Sequence, residues 1–382
     1  MKKYLFLFVT AAIVGVSCTK SGLIETPSSQ SDPIAFDPYL GKVPVTKAQN
    51  SDLTFLQTGI TSDLTSGGFQ VFAFLHGADG AAPTTFSSTY MNEEVWWENA
   101  KWEYDKVTYW PEGAQLAFAA FGLNASKGGC LVCKDASAKP ALNAYTFEVK
   151  DKVSEQVDLI VAPYQTGLTS GNVTLNFKHL LSRVGFKVLS SDAADNVNIA
   201  IRSITLHGSF PTTGDVDITK VTDGLPAIEN KTGTREDYTL FEGSDCFQIA
   251  SKDCASEDTA KPIYANMTVS GDTYTAKYTK ADGETDDDLA KKLADAEAKR
   301  YMMIMPCTMP ADNAYIEVQY QLTSDKVRKA KVDLPSFEFK AGYAYEFILK
   351  VSASAIVFDA EMTEDWAPSG VPATPLPLTP EN

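Results

Sequence analysis

Apolar and polar residues alternate twice within residues 172–189, NVTLNFKHLLSRVGFKVL. Val173-Thr174-Leu175-Asn176-Phe177 and Val184-Gly185-Phe186-Lys187-Val188 both keep the period of two that marks a half-buried strand with one face to a core. Between them, residues 178–183 break the alternation, so the chain is expected to leave one sheet there and enter another. The same period, or a short apolar run bounded by turn residues, recurs along the whole chain. Before the break it picks out residues 34–36, 69–74, 116–121, 145–149 and 158–162. After it come 197–201, 203–206, 216–218, 238–241, 273–278, 301–305, 315–320, 337–339, 343–349, 356–358 and 361–366. Trp102, Tyr104, Val107 and Tyr109 predict a hairpin around Asp105-Lys106. One helix is expected over residues 288–300: Leu289, Leu293 and Ala296 share a face, acidic residues open it, and Lys299 and Arg300 close it, as the helix dipole favours. The pattern predicts an all-β chain with minor helical insertions, made of two β-sandwich domains in tandem, residues 34–180 and 181–366.

Composition agrees with strands and narrows the partners. The 382 residues suffice for two domains of ordinary size, and 44% are hydrophobic, enough for a core in each half. Twenty Phe, 16 Tyr and 5 Trp favour strands over helices. A net charge of -16 repels phosphate backbones, which excludes nucleic acid as a partner.

The N-terminus reads as an export signal. Lys2 and Lys3 precede an apolar run, residues 4–14, too short to span a membrane stably. Small residues and Cys18 follow. Gly15-Val16-Ser17-Cys18 resembles a lipobox, with Gly15 where Leu is usual. That resemblance implies a lipoprotein signal peptide over residues 1–18, with Cys18 as the acylated first residue; an ordinary signal peptide cut nearby is the alternative. Residues 19–33 read as a flexible tether and 367–382 as an extended, Pro-rich tail.

In an exported chain disulfides are allowed. Cys130 and Cys133 form a CxxC without the second pair or the histidines of a zinc site, so they are a candidate loop disulfide or two free thiols. Cys246 and Cys254 can close a short loop. Residues 282–288 are acidic but lack the oxygen spacing of a calcium loop and read as a solvated cap on the next helix. His76, His179 and His207 lie in different elements, and His179 is expected to be a buried, hydrogen-bonded structural residue. No nucleophile, phosphate-loop or metalloprotease motif occurs. No catalytic residue, metal site or cofactor is assigned, and the chain is read as a non-enzyme. The aromatic run Trp96, Trp97, Trp102, Tyr104, Tyr109 and Trp110 can form either a sugar platform or cross-strand pairs that fill a core.

Ordered motifs along most of the chain resemble the fimbrillins, pilus lipoproteins of Gram-negative gut and oral anaerobes. They are Cys18; Ile34-Ala35-Phe36 before Thr46-Lys47-Ala48; Tyr109-Trp110-Pro111; Phe177 to Val184; Met303-Ile304-Met305-Pro306; Phe339 to Tyr345; and Ile356 to Trp366. The resemblance implies two transthyretin-like β-sandwiches and a structural or adhesive pilus subunit. Its lipid anchor sits in the outer membrane, its partners are other pilus subunits joined by strand exchange, and it can carry a host or bacterial surface ligand. It also implies proteolytic maturation between Lys47 and Ala48, which removes an N-terminal strand; Lys47 stands where the family usually has Arg. In and just beyond residues 371–378 four prolines (Pro372, Pro375, Pro377, Pro380) remove amide donors, which argues against a conventional donor strand. The alternative function is a surface lipoprotein that binds glycans and never polymerises.

Overall fold

The computed structural model describes residues 32–40, 68–76, 89–98, 101–134, 145–191, 197–222, 225–298, 300–309, 314–323, 326–352, 356–364 and 374–375. The first half of the chain supplies β1 (Ala35–Leu40), β2 (Phe69–His76), β3 (Thr89–Glu98), β4 (Lys101–Glu103), β5 (Gln115–Gly122), the short helix α1 (Leu123–Lys127), β6 (Leu131–Cys133), β7 (Tyr145–Glu148), β8 (Ile160–Leu168) and β9 (Asn172–His179). Then follow β10 (Ser182–Ser190), β11 (Asn198–Phe210), β12 (Thr213–Thr222), β13 (Leu225–Thr232), β14 (Arg235–Thr239), β15 (Asp245–Ala250), β16 (Lys261–Pro262), β17 (Met267–Ser270) and β18 (Thr273–Ala276). The rest is α2 (Asp286–Ala298), β19 (Met302–Ile304), β20 (Cys307–Met309), β21 (Tyr315–Leu322), β22 (Arg328–Asp333), β23 (Phe337–Phe339), β24 (Tyr343–Val351), β25 (Ile356–Glu364) and β26 (Thr374–Pro375). The fold is all-β.

The change of sheet expected after residue 178 is present. β9 lies in a sheet ordered β1-β9-β8-β5-β2-β3-β4, while β10 lies in another, ordered β16-β10-β24-β25-β26, with β19 also on β10. A third sheet runs β18-β17-β15-β11-β21-β22 with β14 on β11. The two halves also share structure: β6 and β7 continue into β12 and β13 as one sheet.

Two hydrophobic clusters explain the burial. On one face of the first sheet, Phe69, Val71 and Ala73 of β2 meet Phe118 and Ala120 of β5 and Val173, Leu175 and Phe177 of β9. The other face sends Phe72, Phe74, Ala119 and Phe121 into a larger core that also takes Val184, Phe186 and Val188 of β10 and Phe347 of β24. Central strands of this sheet are therefore buried on both faces, whereas β9 keeps the half-buried alternation read from its sequence. Gly185 lies inside β10 because a Cβ there would run into the Glu346 carboxylate and the Tyr301 ring.

Several local expectations hold and others are corrected. The helix is α2, shifted two residues toward the N-terminus so that Arg300 lies beyond its end, and Thr285 caps it: its Oγ1 accepts from Asp288 N at 3.2 Å and the Asp288 carboxylate accepts from Thr285 N at 2.8 Å. The acidic stretch is that cap, and its amide hydrogen bonds hold Glu284 and Asp288 below the usual carboxylate range. Residues 197–206, read as two strands, are one strand with a bulge between Ile201 and Ser203. The hairpin expected around Asp105-Lys106 is absent: Trp102 of β4 pairs instead with Trp97 of β3. Cross-strand pairing of two large aromatics outweighs the local period-two pattern.

Candidate strand-acceptor groove

β1 is the edge strand of the first sheet, and it reaches the core through alternate side chains. Ile34 and Phe36 are 2% and 4% exposed, Pro38 is buried, and Ala35 and Asp37 face outward. The Phe36 ring meets Phe69 and Tyr104 edge-on at 5.8 Å each and Phe118 at 6.3 Å. Such edge-to-face contacts add to the burial of the ring itself. β1 runs parallel to β9, with Phe36 beside Val173 and Pro38 beside Leu175. Asn172 Nδ2 donates to the Asp37 carboxylate at 3.0 Å on the outer face.

β9 depends on this partner. Asn172 to Phe177 register with β1, whereas the ladder with β8 covers Lys178 and His179 among the described residues. A parallel contact between a leading strand and a strand more than a hundred residues later carries no local periodic signal. Sequence reasoning therefore marked both strands but not their pairing.

A second element holds the start of β1. Pro33 bridges Tyr109, Ile34 N donates to Thr108 O at 2.9 Å, and Trp110 N donates to Asp32 O at 3.1 Å. Tyr104 OH donates to Ile34 O at 2.7 Å, and burial raises that phenol above its ordinary range. Trp110 is buried beneath, its indole N–H donating to Gly171 O at 3.1 Å. Residues 104–110 thus form an arch over residues 32–36, opposite β9.

The arch settles most of the aromatic run. Trp102 packs on Phe69 at 5.2 Å, Tyr104 on Phe36, and Trp110 on Phe118 at 5.7 Å. Trp97 and Tyr109 keep about a third of their surface exposed. The run is chiefly cross-strand and core packing.

Cys18, Lys47 and Ala48 lie outside the described residues. Cys130 lies just before β6 and Cys133 ends it, and no disulfide joins them among the described residues. Cys246, Cys254 and Cys307 are also free. Burial pushes the Cys246 and Cys307 thiols up to about 11, so few thiolates form at neutral pH. Alkylation of the native protein at pH 7, mapped by mass spectrometry, is expected to label Cys133 well before either. Equal rates would show that the burial is transient.

His179 is the structural residue expected: it is buried, with Nδ1 2.5 Å from the Asp158 carboxylate. Beside it Arg183 is half-buried, and the loss of water around its guanidinium lowers its pKa. The guanidinium carbons of Arg183 and Arg300 lie 4.3 and 4.1 Å from the centre of the Tyr301 ring.

The fimbrillin-like family profile matches residues 60–366. The chain belongs to the fimbrillin-like family. A solved structure agrees on the fold. A fimbrial protein from Bacteroides vulgatus is 16% identical, with a TM-score of 0.54, over 87% of this chain and 99% of that one. A candidate cell adhesion protein from Bacteroides uniformis is 12% identical, with a TM-score of 0.46, over 87% of this chain and 99% of that one. A fimbrial assembly protein from Parabacteroides distasonis is 11% identical, with a TM-score of 0.36, over 90% and 98%. A search of curated proteins finds no match to this fimbrillin-like chain.

Proposed function

We propose that this fimbrillin-like chain is a structural or adhesive subunit of a cell-surface pilus, assembled by β-strand exchange after proteolysis removes an N-terminal strand. Family membership supports a pilus or adhesion role at the cell surface and a non-enzymatic one. The observation that carries the mechanism is the seat of β1. It is an edge strand, it fills a core with Ile34 and Phe36, and Lys47 follows it shortly in the sequence. Cleavage between Lys47 and Ala48 would cut β1 from the rest of the chain. Loss of β1 would expose Phe69, Val173 and Phe177 and leave β9 amides unpaired. Both are costly, and an incoming strand from another subunit satisfies both.

The same reading places a lipid on Cys18 and anchors the subunit in the outer membrane before assembly. It divides the chain into a signal peptide, a tether and two transthyretin-like halves that meet between residues 180 and 181, where the chain changes sheet. A surface ligand on the host or on other bacteria fits the adhesive form. The glycan-binding alternative now rests on Trp97 and Tyr109, the exposed rings of the run.

The deciding experiment is the N-terminal sequence and intact mass of the protein recovered from assembled surface material. A start at Ala48 is expected. A lipidated start at Cys18 in assembled material would show that β1 is kept and would overturn the exchange mechanism.

A further inference from the structure

The backbone of β1 fixes what else can lie in the groove. Ile34 turns both its amide and its carbonyl toward the arch, to Thr108 O at 2.9 Å and Tyr104 OH at 2.7 Å. Successive residues of a strand aim their backbone groups at opposite sides. Ala35, Asp37 and Tyr39 therefore aim theirs at β9, and Phe36 and Pro38 aim theirs outward. Side chains follow a second alternation, with Ile34, Phe36 and Pro38 buried and Ala35 and Asp37 exposed. Pro38 thus sits where its missing N–H faces away from the ladder, the placement an edge strand tolerates. A proline at the seat of Ala35, Asp37 or Tyr39 would instead cost β9 an amide.

Residues 371–378, Val-Pro-Ala-Thr-Pro-Leu-Pro-Leu, fail this requirement. Leu376 follows Pro375 and Leu378 follows Pro377. Any register that puts either leucine at the Phe36 seat puts a proline at the Ala35 seat. The opposite register turns Pro375 and Pro377 away from β9 but turns both leucines to the exposed face. Thr374 and Pro375 are moreover already paired, with Met362 and Glu361 of β25.

We propose that the groove vacated by β1 takes a strand from a different subunit, and that residues 371–378 of a second copy cannot fill it. The occupant is apolar at the seats of Ile34, Phe36 and Pro38 and free of proline at the seats of Ala35, Asp37 and Tyr39. This rests on the strand-exchange reading above and adds the identity of the partner to it.

The test uses the full chain, nicked at an engineered protease site after Lys47 so that β1 stays seated. Fluorescent peptides then compete for the groove under mildly denaturing conditions, followed by anisotropy and by release of the leading fragment. A peptide of residues 32–40 is expected to exchange in. A peptide of residues 369–382 is expected to bind more weakly than its Pro375→Ala/Pro377→Ala form by about tenfold, the effect of one or two lost strand amides. Equal binding of the two tail peptides overturns the inference and leaves strand exchange standing. Failure of the 32–40 peptide overturns the exchange reading and the inference with it.

Discussion

Phe36→Ala in the full chain is expected to destabilise the fold by about 3–5 kcal/mol, the range for deleting a buried aromatic ring. The ring is 4% exposed and touches Phe69, Tyr104 and Phe118, none of which is free to collapse into the space it leaves. Those neighbours are themselves fixed, Phe69 by Trp102 and Phe177, and Tyr104 by its bond to Ile34 O. Asp37→Ala, one residue on, removes an exposed side chain and its bond from Asn172, and surface changes of that kind stay within about 0.5 kcal/mol. Urea unfolding of both variants at unchanged slope measures the difference. A loss under about 1 kcal/mol for Phe36→Ala, small for a core truncation, would mean that β1 merely lies against the sheet. The size of the effect bears on the proposed strand exchange: a strand held this firmly would not leave on cleavage alone, so a replacement strand would have to compete for its seat.

The fold class, the helix and the change of sheet at residues 178–183 were legible because each is written in local periodicity. β9 shows this most directly, with Val173, Leu175 and Phe177 all buried as the alternation requires. The neighbouring Phe69–His76 strand alternates too, yet Phe72 and Phe74 are buried as well, because a second layer covers that face. A layer contributed by distant chain leaves no mark on the local pattern. The same holds for the pairing of β1 with β9 and of β7 with β12. Register between strands is set where one face meets a core, and that core is assembled from residues far along the chain. The arch over β1 was half legible. Tyr109-Trp110-Pro111 was singled out by family resemblance, but its pairing with residues 32–34 belongs to the groove and has no signature of its own. Cys18, Lys47 and Ala48, the residues on which the proposed maturation turns, lie outside the described residues.

Asp158→Ala is expected to cost about 1–3 kcal/mol, the cost of leaving a buried polar group without its partner. The Asp158 side chain is 0% exposed, and its carboxylate lies 2.5 Å from His179 Nδ1. It also favours the charged Arg183, after Tyr301 and Glu346. Alanine takes an acceptor from the imidazole in a site where water cannot replace it. Asp158→Asn keeps the shape and one acceptor oxygen, so it is expected to lose less. The location makes this more than a stability test. Asp158 precedes β8, His179 ends β9, and Leu180 N donates to Leu159 O at 2.9 Å between them. The pair therefore pins the end of the strand that forms one wall of the groove. Hydrogen exchange should show the amides of residues 172–177 opening faster in Asp158→Ala, while β21, in a separate sheet, keeps its protection relative to global unfolding. Equal acceleration in both would show that the pair supports the whole fold and has no particular hold on β9.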